Sequence, residues 1–131
     1  MSFKKSISIF LMAAFCLSPL SAKEPDARTV KAIERNMKLM KTPEKNLKKM
    51  AVSKLYVTTN FLREVAKLEK AAKSLAKIKH PAKDFNELSD ELVEYLGKLK
   101  AAIGKKDTKE AAKNWGYVKD ICNDCHGAYK D

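Results

Sequence analysis

The chain is predicted to be all-α, an antiparallel up-down-up-down four-helix bundle. Three observations carry that expectation. Apolar residues recur at three- and four-residue spacing through most of residues 27–129, the signature of amphipathic helices. No stretch alternates apolar and polar residues as a half-buried strand would. The breaks in helical phase are few and the connections short, and antiparallel neighbours are then the arrangement that buries every stripe.

Residues 1–22 stand apart from this pattern. Lys4 and Lys5 form a positive start, Ile7 to Leu17 is a short apolar run, and Ser18-Pro19-Leu20-Ser21-Ala22 reads as a peptidase site. The run is too short to span a bilayer comfortably. Residues 1–22 are therefore expected to be a cleaved secretory signal peptide, and residues 23–131 the exported domain. Cys16 would be lost with the signal, because Phe15 before it is too bulky for a lipoprotein cleavage box. The periplasm is the expected destination.

Lys23 to Arg28 is polar, with Pro25 as a lead-in or first helical residue. The first helix is expected at about Ala27 to Val57, with Val30, Ile33, Met37, Met40, Leu47, Ala51 and Leu55 inward. Thr42-Pro43-Glu44 looks like a helix start, so a kink or brief interruption at Pro43 is expected, two shorter helices being the alternative. Val57-Thr58-Thr59-Asn60 is the weak stretch that should turn the chain. The second helix should run from about Phe61 to Lys79, burying Phe61, Leu62, Val65, Leu68, Ala72 and Leu75, and stop before Pro81. Asp84 and Glu87 form a capping box for the third helix, whose stripe is Phe85, Leu88, Leu92, Leu96, Leu99 and Ile103, with Gly104 placed as its C′ residue. Asp107 and Glu110 repeat the box for the fourth, with Ala111, Trp115, Val118, Cys122, Cys125 and Tyr129 inward.

That last stripe contains the stretch with the most chemistry, Cys122-Asn123-Asp124-Cys125-His126. C-x-x-C-H is the attachment pattern of a c-type haem: two thiols form thioethers and the adjacent imidazole binds iron. Export to an oxidising compartment agrees with that reading, and so does the helical phase. Both cysteines continue the line of Trp115 and Val118, which puts one covalently bound haem in the bundle core, near the C-terminal end of the fourth helix. A redox dithiol would sit better at a helix N-terminus, where the dipole favours thiolate. A zinc site would need Cys125 and His126 to converge, although neighbouring helical residues diverge.

A second axial ligand can be sought by counting, since a helix rises about 1.5 Å per residue. His126 is roughly 28 Å above Asp107, and Met40 is roughly 25 Å above Val57 at the same end of the bundle. Met40 is thus the preferred sulfur ligand, with Met37, one turn higher, in reserve. An open sixth position, or one blocked by Leu39, is the alternative. His80 falls near the same height, in the loop before Pro81, and is expected to be an exposed loop histidine.

Without residues 1–22 the chain holds 25 Lys plus Arg against 16 Asp plus Glu, a net charge of +9. Such a balance suits acidic redox partners and speeds encounter with them. The lysines are spread along all segments with no nucleic-acid module, so nucleic acid is not an expected partner, and stable membrane insertion is not expected either. No nucleophile–base set or phosphate-binding glycine loop stands out, so a carrier is expected rather than an enzyme.

On these residues the chain resembles the class II c-type cytochromes, which comprise the cytochrome c-prime group and its low-spin, methionine-ligated relatives. The resemblance rests on Cys122-x-x-Cys125-His126 followed by Gly127-Ala128-Tyr129-Lys130, and more loosely on Leu39-Met40-Lys41. It implies a four-helix bundle over residues 23–131 and a haem pocket to which Arg35, Leu39, Trp115, Tyr129 and Lys130 could contribute. It implies either a six-coordinate electron carrier, with Met40 matching the ligand of the Leu-Met-Lys version, or a five-coordinate protein binding nitric oxide or carbon monoxide. Arg35 followed four residues later by Leu39 resembles the open-site pattern. Lys130 stands where many members have arginine, and Pro43 departs from the usual first helix. Homodimers are common among such proteins.

Overall fold

The computed structural model describes residues 25–129, with side chains through Gly127. The expected signal segment with Cys16, the domain boundary after Ala22, the side chain of Tyr129 and Lys130 lie outside these described residues. Four helices follow one another: α1 (Ala27–Val52), α2 (Thr59–Ala76), α3 (Lys83–Gly104) and α4 (Thr108–Tyr129). α1 packs on α2, α2 on α3 and α3 on α4, whereas α1 and α4 are not closely packed against each other.

The α1 start is set by Asp26, whose carboxylate accepts the Thr29 amide at 2.8 Å. The same hydrogen bond holds the Asp26 carboxyl below its ordinary pKa. Pro25 therefore precedes the cap. α1 runs unbroken through Pro43, which is buried. Burial of the pyrrolidine ring on the core side offsets the lost backbone hydrogen bond.

The end of α1 differs from expectation. The helix stops at Val52, five residues early, in a Schellman turn: Leu55 N–H donates to the Met50 carbonyl and Lys54 N–H to the Ala51 carbonyl, both at 3.0 Å. Lys54 supplies the left-handed residue, at φ 56°. Leu55 consequently leaves the inward stripe and is 44% exposed, and Val30 near the other end is 37% exposed.

α2 starts earlier than expected because Thr58 caps it, its hydroxyl accepting the Phe61 amide at 3.2 Å. It also ends earlier, at Ala76. The turn to α3 is held by Asn86, which accepts the His80 amide at 3.2 Å and donates to the His80 carbonyl at 2.9 Å. His80 Nδ1 in turn accepts the Ala82 amide at 2.9 Å. Ala82 occupies the cap position without a side-chain bond, so α3 begins at Lys83 and Asp84 lies inside its first turn instead of capping it.

Gly104 is likewise the last residue of α3, not its C′ residue. Lys106 takes the left-handed conformation at φ 57°, and the Asp107 and Lys106 amides donate to Ala102 and Ile103 carbonyls. Asp107 then caps α4 as expected, accepting the Glu110 amide at 3.0 Å. The Glu110 carboxylate does not close the box; it accepts from Asn114 Nδ2 at 3.4 Å.

The core follows the anticipated stripes. Phe61, Val65, Leu68, Ala72 and Leu75 of α2 meet Phe85, Leu92, Leu96, Leu99 and Ile103 of α3. Ala111, Trp115, Val118, Cys122 and Cys125 of α4 complete it with Met40 and Leu47 of α1. Two carboxylates are buried at helix seams: Glu69 is paired to Lys100 of α3 at 2.8 Å, and Glu64 accepts from Asn46 of α1 at 3.3 Å. No described helix is long and apolar enough to cross a membrane.

Candidate haem-binding site

At the end of the bundle where α4 finishes, all four helices line one cleft. α1 contributes Met37 and Met40, α2 Leu75, α3 Leu88, Ser89 and Leu92, and α4 Ile121, Cys122, Cys125 and His126. The space, including the part open to solvent, is about 300 Å³. Its walls are almost wholly apolar. Besides His126 at the rim, Ser89 is the polar residue of the lining, and its hydroxyl is turned to its own helix, donating to the Phe85 carbonyl at 2.9 Å.

The α4 side of the cleft follows from helical geometry. Residues three apart share a face, so Cys122 and Cys125 both point inward and are buried. His126 follows at about 100° around the axis and sits half-buried at the rim. The two cysteines are not joined to each other. Burial pushes the Cys122 thiol up to about 12, with Glu44 and Cys125 adding to the rise and Lys48 opposing it. Burial raises the Cys125 thiol as well. Such thiols are protonated at neutral pH, the reverse of a thiolate-based redox pair. Nor do three His, Cys, Asp or Glu side chains converge to hold a metal among the described residues. Neither the dithiol nor the zinc reading finds support in this geometry.

On the opposite wall both α1 methionines border the cleft. Met40 is 7% exposed and belongs to the core, while Met37 is half-buried. The observed helix ends revise the height count. His126 lies about 27 Å above the start of α4; Met37 lies about 22 Å and Met40 about 18 Å above the end of α1. Stopping α1 at Val52 has lowered Met40 and left Met37 the nearer match.

Other expected pocket residues fall elsewhere. Leu39 is 60% exposed and Arg35 is exposed, both on the outside of α1. Trp115 does not border the cleft. It packs edge-on to Phe61 at 6.1 Å, deeper in the bundle, and its buried indole N–H meets no acceptor among the described residues. His80 is half-buried, not the exposed loop residue expected: it stacks on Phe85 at 4.6 Å and does not line the cleft. Ser89 interrupts the apolar stripe of α3 as a polar residue, and its place between Phe85 and Leu92 on the helical repeat is the signal that puts it on the inward face.

The sequence matches the family model described as Cytochrome C' over residues 27–130. The chain belongs to the cytochrome c' family. Neither the curated proteins nor the solved structures yield a match. Membership in the cytochrome c' family implies covalently bound haem c, and the donor set fits that group. Two thiols share one helical face, an imidazole follows directly, and methionine sulfurs stand across an apolar cleft.

Proposed function

We propose that this member of the cytochrome c' family is a periplasmic monohaem electron carrier. The observation that carries the reading is the meeting of Cys122, Cys125, His126 and two methionines on one apolar cleft. Haem supplies a one-electron ferric/ferrous couple when bound. Cys122 and Cys125 anchor it through thioethers, and His126 is the proximal ligand.

Met37 is the proposed sixth ligand, ahead of Met40, because it lies nearer in height to His126 and is the less committed to core packing. Leu75, Leu88 and Leu92 exclude water, which keeps the surroundings low in dielectric in both oxidation states. With both axial ligands drawn from the protein, the carrier gains and loses nothing but an electron. The partners proposed are redox proteins with acidic docking surfaces, and no catalytic role is assigned to the chain.

The rival reading, a five-coordinate protein binding nitric oxide or carbon monoxide, would draw on the Arg35/Leu39 pattern. Both residues lie outside the cleft, so the observations favour the carrier. The test is the absorption spectrum of the exported protein, oxidised and reduced. A low-spin spectrum with the weak near-infrared sulfur-to-iron band supports the carrier. A high-spin spectrum unchanged by Met37→Ala and Met40→Ala would overturn it in favour of gas binding.

A further inference from the structure

The positive charge of this protein is not evenly placed. α1 carries eight Lys and Arg against two carboxylates, whereas α3, which does not pack closely on α1, carries three against five. On α1, Lys31, Lys38 and Lys45 recur every seven residues, and Lys49 follows four later, which places them in one line along the helix. All four are exposed. Of the eight α1 cations only Lys48 is in an ion pair among the described residues, with Glu44 at 3.4 Å. None of the other seven is within ion-pair distance of a carboxylate among the described residues, although Asp26 acts on Arg28 and Glu34 stands one turn from Lys31 and Lys38, so the helix keeps an excess of six positive charges. Beside the line sits Leu39, 60% exposed, with Arg35 one turn away on the same face.

We propose that this outer face of α1 is the docking surface for an acidic redox protein, with Leu39 as its apolar contact and the lysine line as its steering field. The inference rests on the electron-carrier reading and gives it a location. Position supports it as much as charge. The inner side of the same helical turns carries Met37 and Met40 on the cleft wall, so a partner seated on Leu39 is separated from the cleft by one helix, about 10 Å thick. A second copy of this chain would bring two uncompensated lysine lines together, and like charges oppose that pairing. An acidic partner meets no such cost. α3, carrying an excess of carboxylates, repels the same partner and so helps to orient it.

The experiment uses the haem-loaded protein and, as probe, a soluble flavodoxin of strongly negative net charge. Titration of the isotope-labelled protein with this probe should shift backbone amide resonances across residues 31–49. The triple variant Lys38→Glu, Lys45→Glu, Lys49→Glu should weaken association by about tenfold or more at low ionic strength. The difference should shrink in 1 M salt, where screening acts within about 3 Å. Lys105→Glu with Lys109→Glu, away from the α1 line, is the control and should lose much less. Equal losses in both variants, or shifts confined to other helices, overturn the docking surface. A concentration-dependent dimer through α1 in sedimentation would overturn it too. Redox titration of the same proteins separates the two readings: a reversible one-electron couple unchanged in the variants leaves the carrier standing even where the surface fails. Absence of that couple removes the carrier and the docking proposal together.

Discussion

Lys54 and Lys106 adopt the same left-handed conformation, at φ 56° and 57°, and close the two turns at the same end of the bundle in the same way. Each is the C′ residue of a Schellman turn, a position glycine usually fills because a Cβ is disfavoured there. Lys54→Gly and Lys106→Gly should therefore each stabilise the fold, by about 0.5–1 kcal/mol, despite glycine's larger unfolded-state entropy. Urea midpoints at constant slope are the measurement. A loss of stability in either variant would mean that the lysine side chain makes a contact outweighing the backbone relief.

Trp115 offers a second stability prediction. Shortening a large core side chain normally costs several kcal/mol, roughly 3–5 for Trp→Ala. Trp115→Phe creates a smaller cavity and also removes the buried N–H that meets no acceptor among the described residues, a donor whose burial costs about 1–3 kcal/mol. The two effects oppose each other. The expected outcome is a change within about 1 kcal/mol for Phe and a large loss for Ala, read from thermal unfolding.

The turn between α2 and α3 should respond to pH. His80 Nδ1 accepts the Ala82 amide, an arrangement open only to the neutral ring, and burial lowers its pKa below 6.5. The unfolded chain therefore binds the proton more readily than the folded one. Stability from this group is full above about pH 6.5 and declines as the pH falls towards the lower folded value. His80→Ala should flatten that part of the stability–pH curve. Urea midpoints at pH 5 and 7.5 for the two proteins check it; an unchanged difference would show that other groups set the slope.

How much of this was legible in the sequence depends on how local each signal was. The grouping of Cys122, Cys125 and His126 at one cleft is legible because they are neighbours in the chain and one helical turn fixes their relative directions. The core stripes are legible because helical phase survives any small error in the ends. The ends themselves are not. Lys54 and Lys106 carry no marker of left-handed backbone, so Leu55 looked like one more core position and Gly104 like a terminator. Ala82 caps α3 by default because Asn86 and His80, four and two residues away, settle the backbone groups of the turn. Leu39 shows the same difficulty within a helix: one residue from Met40, it is rotated about 100° and faces out. The height count that bears on the choice between Met37 and Met40 depends on where α1 ends, and the five residues between Val52 and Val57 move it by about 7.5 Å, more than one helical turn.

That choice gives the sharpest prediction. Leucine conserves most of methionine's volume, and such swaps usually cost less than about 1.5 kcal/mol, so the spectrum can be read without loss of the fold. In Met37→Leu the haem-loaded protein should become high-spin and bind carbon monoxide readily, because the sixth position loses its sulfur. In Met40→Leu the low-spin spectrum should persist with a small drop in unfolding midpoint, since Met40 contributes chiefly to the core. The reverse pattern would give the ligand role to Met40, and would mean that the ends of α1 and α4 are offset by about a turn. Reading both variants in the near-infrared as well as the visible separates a lost sulfur bond from a merely perturbed pocket, because only bond loss removes the sulfur-to-iron band.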